Sequence, residues 1–317
     1  MAGATGRDVH VDRLISEMAM NYKPEGFVAA DIFPIVQVQN QSNIYVDFDR
    51  ASKLRIQDTR RSPGNEANIM RVDVGSGTYF CNNYALKAQV TIEDRKNADP
   101  IYVSGLYDGA AELVLDGLLL DWDNRVALQV TSTTNVGSST AVSSAWSGAA
   151  STPLADINQA IDNVTYSNGA MATDVVFGLE AWNSFRRHAD VRNLIFGTNN
   201  GGGYPTTAQV AALLGVKRVH VGGSFKNTAD EGQSESLASI WLDNVLVYHR
   251  PDSPSIQRPS FAYSFRWAQP GLPNMVAERH PYDTRRKTEE IEIGYYQDEK
   301  VTGASYGFLI QAVNSST

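Results

Sequence analysis

Chemistry in this chain would have to start from two acidic pairs, five histidines and one cysteine. Asp47-Phe-Asp49 places two carboxylates on one face of a strand, as a two-ion site would need; a solvated strand face is the better reading. Asp121-Trp-Asp123 reads as helix, where two residues are about 200° apart, so these two do not share an ion. His10, His188, His220, His249 and His280 are dispersed and none is paired at ligand spacing, which argues against a structural zinc site. Cys81 has no cysteine partner and no neighbouring base, so it reads as a small buried hydrophobe in a chain without disulfides. Gly201-Gly-Gly203 lacks a following lysine and reads as a hinge, not a phosphate loop. No Gly-x-Gly-x-x-Gly follows a strand, and there is no Gly-x-Ser-x-Gly elbow. The sequence therefore predicts no catalytic residue, no metal site and no cofactor. A triad scattered along the chain stays open as an alternative.

The charge pattern narrows the partners. The 317 residues carry a formal net charge of −8. Such a chain is not built to grip nucleic acid over its whole surface, although it could line a container without sticking to the contents. Arg60-Arg61 and Arg285-Arg286-Lys287 are short basic runs flanked by acids (Asp58, Glu66; Glu289, Glu290), the pattern of a salt-bridged surface. Arginines outnumber lysines, 19 to 8, and arginine is enriched at protein–protein contacts. The first residues contain no apolar signal core. The longest apolar stretch, Leu113–Leu120, is broken by Asp116 and Gly117, well short of the ~20 residues of a membrane span.

These residues have to be positioned by recognisable elements. Residues 1–43 read as an extended arm with a short helix at Asp12–Met20, interrupted by Pro24 and Pro34. Residues 44–92 alternate as strands: Ile44, Val46 and Phe48 are expected on one face, with Tyr45, Asp47 and Asp49 on the other. Ile69–Val74, Thr78–Asn83 and Leu86–Ile92 continue the alternation, and Pro63-Gly64 marks the tip of a long hairpin. Its charged tip gains little by folding on itself, so it is expected to pack on another chain.

A helix is predicted from Asp99-Pro100 to about residue 130, with Leu106, Ala110, Val114, Leu118, Trp122 and Val126 in steps of four. Leu113, Leu120 and Leu128 are expected to broaden the buried stripe. About 28 residues would span about 40 Å, long enough to cross a whole body. An α/β section follows. It has a helix from Pro153, a buried strand Asp174–Phe177, a helix Leu179–His188 with Trp182 and Phe185 inward, a helix after Thr206, and a strand Val216–Val221. Ile240–Leu242 and Val245–Tyr248 are expected to pair as a hairpin turned at Asp243-Asn244. After a proline-rich stretch the chain closes in strands at Asn274–Glu278, Glu289–Tyr296 and Ser305–Val313.

This order of elements resembles one family, the major capsid proteins of tailed phages with the Hong Kong 97-type fold, which encapsulins share. Tyr22-Lys-Pro-Glu-Gly-Phe-Val-Ala-Ala-Asp-Ile-Phe-Pro34 resembles a phage N-arm motif. Asp174–Phe185 and Leu214–Val221 are similar to strand and helix steps of the family's A-domain. The resemblance implies an α+β fold with an N-arm (1–43), an extended β-hairpin called the E-loop (44–95), a P-domain with a long spine helix (96–150), an α/β A-domain (151–274) and closing P-domain strands (275–317).

The family implies a coat protein that self-assembles as pentamers and hexamers into an icosahedral head around double-stranded DNA, in the virion, without membrane contact. Asp58, Arg60, Arg61 and Glu66 at the E-loop tip would contact a neighbouring subunit. Phe27, Ile32 and Phe33 would help the N-arm clasp an adjacent chain. The lack of a long helical leader suggests a separate scaffolding protein, or a leader removed by processing; a portal and a decoration protein complete the expected partners. The alternatives are an encapsulin-type compartment, a tail or connector component, and, from a different class, an α/β enzyme with a pocket and a perturbed carboxylate or histidine.

Overall fold

The computed structural model describes residues 10–48, 54–69, 74–98, 103–197, 203–255, 258–269 and 273–314. The arm contributes β1 (His10–Val11), helix α1 (Arg13–Asn21), the single turn α2 (Ala29–Ile32) and β2 (Ile35–Val38). Asp12 starts α1 by accepting the Ile15 N–H at 3.2 Å. The hairpin strands are β3 (Ser42–Phe48) and β4 (Val74–Phe80), antiparallel throughout. Next come β5 (Asn82–Thr91), α3 (Ile92–Asn97) and the long helix α4 (Val103–Val130). Thr91 caps α3, whose acids lie in its first turn and whose bases lie in its last, matching the helix dipole. The expected start of α4 at Asp99-Pro100 lies outside the described residues, as do most of Ile69–Val74 and Gly201–Gly203.

The remaining elements are β6 (Ser138–Ala141), α5 (Pro153–Asn168), β7 (Asp174–Gly178), α6 (Leu179–Arg187), α7 (Ala189–Phe196), α8 (Thr207–Leu214), β8 (Arg218–Gly222), β9 (Phe225–Asn227), β10 (Leu237–Ser239), β11 (Val245–Tyr248), β12 (Ala262–Trp267), β13 (Val276–Asp283), β14 (Thr288–Val301) and β15 (Gly307–Gln311). Pro153 opens α5, and Gly169, at φ 63°, closes it in the left-handed region. Thr206 and Gln209 form a capping box on α8.

Two main sheets organise these elements. The larger runs β1-β13-β14-β12-β2, with β5 on the other edge of β14. The second runs β6-β15-β11-β7-β8. Helix α4 spans the molecule at 28 residues, about 42 Å. Its first half packs Ala111, Val114, Leu115 and Leu118 against Ile291, Ile293 and Tyr295 of β14 and against Ile15 and Ala19 of α1. Its second half packs Leu119, Trp122, Val126 and Val130 into a core shared with the arm, Tyr248 and Phe261. A third core fills the second sheet, where Ile157, Val164, Trp182, Phe185 and Val210 of the covering helices meet Val175 and Phe177.

Several expectations need correction. Leu113, Leu120 and Leu128 do not widen the buried stripe; all three are exposed, because only one side of α4 has a sheet to lie on. Ile240–Leu242 does not pair with β11. Leu242 turns at a positive φ of 51°, and β11 sits between β7 and β15. Two strands lie in the other sheet from their predicted section. β15, expected with the closing P-domain strands, completes the β7–β11 sheet, whereas β12, expected in the A-domain section, joins the larger one. Among the described residues, no helix is long and apolar enough to cross a membrane.

Candidate assembly surfaces

The E-loop hairpin is anchored at its base and free at its tip. At the base, Tyr79 stacks on Phe265 of β12 with centroids 4.8 Å apart, and Tyr45 lies 5.2 Å from the same ring. A Cβ at Gly77, opposite Tyr45 in the ladder, would collide with that tyrosine ring. The Phe80 N–H donates to Asp298 at 2.9 Å. Cys81 closes this corner, fully buried, with its thiol pushed up to about 11 by burial. This reverses the expected orientation of the strand: the Tyr45 face is covered, and Ile44 points to solvent.

Beyond the base, all the described residues from 54 to 69 are exposed. Asp58, Arg60, Arg61 and Glu66 are among them. The tip is shaped locally: Asp58 accepts the Arg60 N–H at 2.9 Å, Asn68 donates to the Asp58 carbonyl at 2.9 Å, and Arg61 Nε donates to the Asn65 carbonyl at 2.6 Å. Its side chains are thus held outward with no apolar cover.

The arm packs inward. Phe27, Ile32 and Phe33, expected to help the arm clasp an adjacent chain, are buried in their own subunit. Phe27 packs on Trp122 of α4 at 5.2 Å, and Phe33 meets Phe261 edge-on at 6.3 Å. The arm can bury them because Asp123 pins it. This fully buried carboxylate accepts the N–H groups of Val28 (3.2 Å) and Ala29 (2.9 Å), and the Trp241 indole N–H (2.8 Å). Burial raises its pKa against the pull of these donors and of the Ser224 hydroxyl. Read from sequence as half of an acidic pair, Asp123 is in fact the joint between arm, long helix and second sheet. No local signal could have found it, since its partners lie 94 to 118 residues away.

A second charged joint holds the arm to the β7–β8 edge. Arg218 forks onto buried Asp174 at 2.7 and 3.2 Å, and His220 reaches the same carboxylate at 3.2 Å and Asp31 of α2 at 3.6 Å. Burial alone would raise the Asp174 pKa, but the hydrogen bonds from His220 and Arg218 outweigh it and hold the acid below the usual range. A depressed pKa stabilises the fold above the unfolded value near ~4, and that contribution is lost as pH falls through the folded value. Melting followed between pH 6 and pH 3 should show a stability loss below about pH 4 that flattens in Asp174→Asn. An identical acid slope in the variant would remove Asp174 from the account.

The chain also resembles known proteins over its length. No protein-family model matches it. It is 25% identical over 309 residues to the major capsid protein of Pseudomonas phage JBD67, covering 95% of this chain and 96% of that one. A phage-related protein from Bordetella bronchiseptica superposes with a TM-score of 0.74 at 18% identity, covering 96% of this chain and 98% of that one. The capsid protein of Cyanophage P-SCSP1u does so with a TM-score of 0.56 at 11% identity, covering 90% and 87%. The chain shares the Hong Kong 97-type fold of these capsids and resembles a phage major capsid protein along almost its whole length.

One side-chain pair needs a closer look for chemistry. Ser151 lies 3.2 Å from His188 Nε2, a Ser–His approach among the described residues that invites a nucleophile reading. His188 Nδ1 accepts the Asp190 N–H, so Nε2 carries the proton and donates to the serine, whose own hydroxyl bonds the Gly148 carbonyl at 2.7 Å. The histidine therefore cannot take the serine proton, and the pair serves to tie a loop to α7. Among the described residues no cluster of three metal-ligating side chains exists. The cleft beside Trp267 and Tyr296, about 210 Å³, has no serine, cysteine, histidine or lysine among its described lining. The family is structural, not catalytic.

Proposed function

We propose that this capsid protein builds the phage head shell from pentamers and hexamers of itself, with the hairpin tip of each copy lying over its neighbour. The observation that carries the reading is the tip: Ile56 is 97% exposed, and Leu54 and Ile69 beside it are also open, on an element whose strands are anchored at the base. Apolar side chains displayed on a projecting arm mark an interaction site. The shell forms the capsid of the virion and encloses double-stranded DNA without reading its sequence. The net charge of −8 supports a lining that does not bind its contents tightly. A separate scaffolding protein, a portal and a decoration protein complete the assembly.

Electron microscopy of the expressed chain, with mass photometry on the same sample and with its neighbouring genes co-expressed, tests this. Closed shells or five- and six-membered rings are expected. A sharp soluble dimer or tetramer under those conditions would overturn the reading. Shells that hold a protein cargo in place of DNA would move it to a compartment of the encapsulin type.

A further inference from the structure

Two hairpins stand apart from the main sheets, and they carry opposite charge. One is the E-loop. The other is β9–β10, a two-stranded sheet of its own. Its tip, residues 228–236, reads Thr-Ala-Asp-Glu-Gly-Gln-Ser-Glu-Ser, with three acids and no cation. Asp230, Glu231 and Glu235 are all exposed. The E-loop is the reverse. In a chain of net charge −8, residues 49–73 between its two strands hold six cations (Arg50, Lys53, Arg55, Arg60, Arg61, Arg71) and four anions (Asp49, Asp58, Glu66, Asp73), a net positive segment whose anions lie partly at its two ends. Among the described residues no ion pair engages Arg55, Arg60, Arg61, Asp230, Glu231 or Glu235, and no hydrogen bond or ion pair joins the two hairpins within the chain.

Each hairpin also sets exposed apolar side chains beside its charges. Ile56 (97%) and Ile69 (76%) flank the arginines. On the acidic hairpin, Phe225 (46%) and Leu237 (62%) are open. The register puts Leu237 opposite Asn227 and Ser239 opposite Phe225, so Phe225 and Leu237 share one face as diagonal neighbours. The two surfaces therefore match twice, in charge and in apolar patch.

The geometry points to a contact between copies in which the E-loop tip of one chain lies on the β9–β10 hairpin of the next. Arg60 and Arg61 meet the carboxylates of Asp230, Glu231 and Glu235, and Ile56 and Ile69 cover Phe225 and Leu237. This rests on the shell reading and names the receiving surface, which that reading leaves open. An isolated exposed ion pair is worth little. Arginine forks on carboxylates around a shared apolar centre, dried by the contact, are worth more and fix the register of two copies.

The test is a charge exchange in the full chain, read as the assembled fraction. Arg60→Glu with Arg61→Glu, and separately Asp230→Lys with Glu231→Lys and Glu235→Lys, should each cut assembly by about tenfold or more, since like charges then face each other. Both sets combined in one chain should restore most of it. All five positions are exposed, so each variant should melt like the wild type; if a reversal melts early, Arg60→Gln with Arg61→Gln replaces it, with a smaller loss expected. Normal assembly of either reversed variant, or a combined variant no better than the worse of the two, would overturn the contact. Wild-type shells with no rescue sink this contact alone, whereas a wild type that makes no shells sinks the shell reading and the contact with it.

Discussion

Replacing Asp123 with alanine is expected to destabilise the subunit by about 3–5 kcal/mol, because it strands three buried donors at about 1–3 kcal/mol each. Val28 N–H, Ala29 N–H and the Trp241 indole N–H all end on this one carboxylate. No helix or strand ladder offers them another acceptor. Asp123→Asn keeps an acceptor for the arm but turns an amide NH2 toward the indole donor, so it should cost less, about 1–2 kcal/mol. Denaturant unfolding of the three proteins gives the comparison. Protease digestion adds a local reading: cleavage near residues 22–34 should rise in the alanine variant before the β7–β11 sheet is attacked. A loss below about 1 kcal/mol for Asp123→Ala would mean that the arm is held by its apolar contacts alone.

Replacing residues 54–69 with a short Gly/Ser turn should have the opposite profile. The excised side chains are exposed, and Leu54 lies over Gly169 of its own subunit. Surface changes of this kind rarely shift stability by more than about 0.5 kcal/mol, so the shortened subunit should unfold within about 1 kcal/mol of the wild type. Shells should disappear. Shells of normal yield from the shortened chain would remove the tip from the assembly contacts, and a large fall in subunit stability would show that it is part of the monomer's fold.

What could be read in advance follows from how local each interaction is. The long helix was legible because a row of apolar residues every four positions has one interpretation at that length. Helices α5, α6 and α8 were legible for the same reason, helped by Pro153 and the Thr206 cap. The burial side of β3 was not legible. Alternation separates Ile44 from Tyr45 but does not say which face is covered, and the answer depends on Phe265, more than two hundred residues on. Strand β12 hid between prolines, although Tyr263, Phe265 and Trp267 alternate with Ser264 and Arg266 in a period of two. Arg266 itself is buried beside Tyr295 and Gln297, with its pKa lowered to about 10 by burial, an environment that no neighbouring residue announces. The packing of the arm was not legible for a related reason. Phe27, Ile32 and Phe33 have no local partner in sequence, and the polar tether that lets the same chain absorb them, Asp123, lies about a hundred residues away.

The junction of β5 with β14 has a mechanical consequence. The hairpin passes through Cys81 directly into β5, which pairs with β14 over ten consecutive residues, from Asn82 opposite Gln297 to Thr91 opposite Thr288. The bonds of an antiparallel ladder lie across the strands. A pull arriving through the hairpin therefore runs along β5 and loads the whole ladder sideways and together, so the bonds must yield as a set and not one after another from an end. A tug on the tip by an adjoining subunit would be spread at once over β14 and, through Ile293 and Tyr295, onto the long helix behind it. The subunit is reinforced along the line of its longest projection.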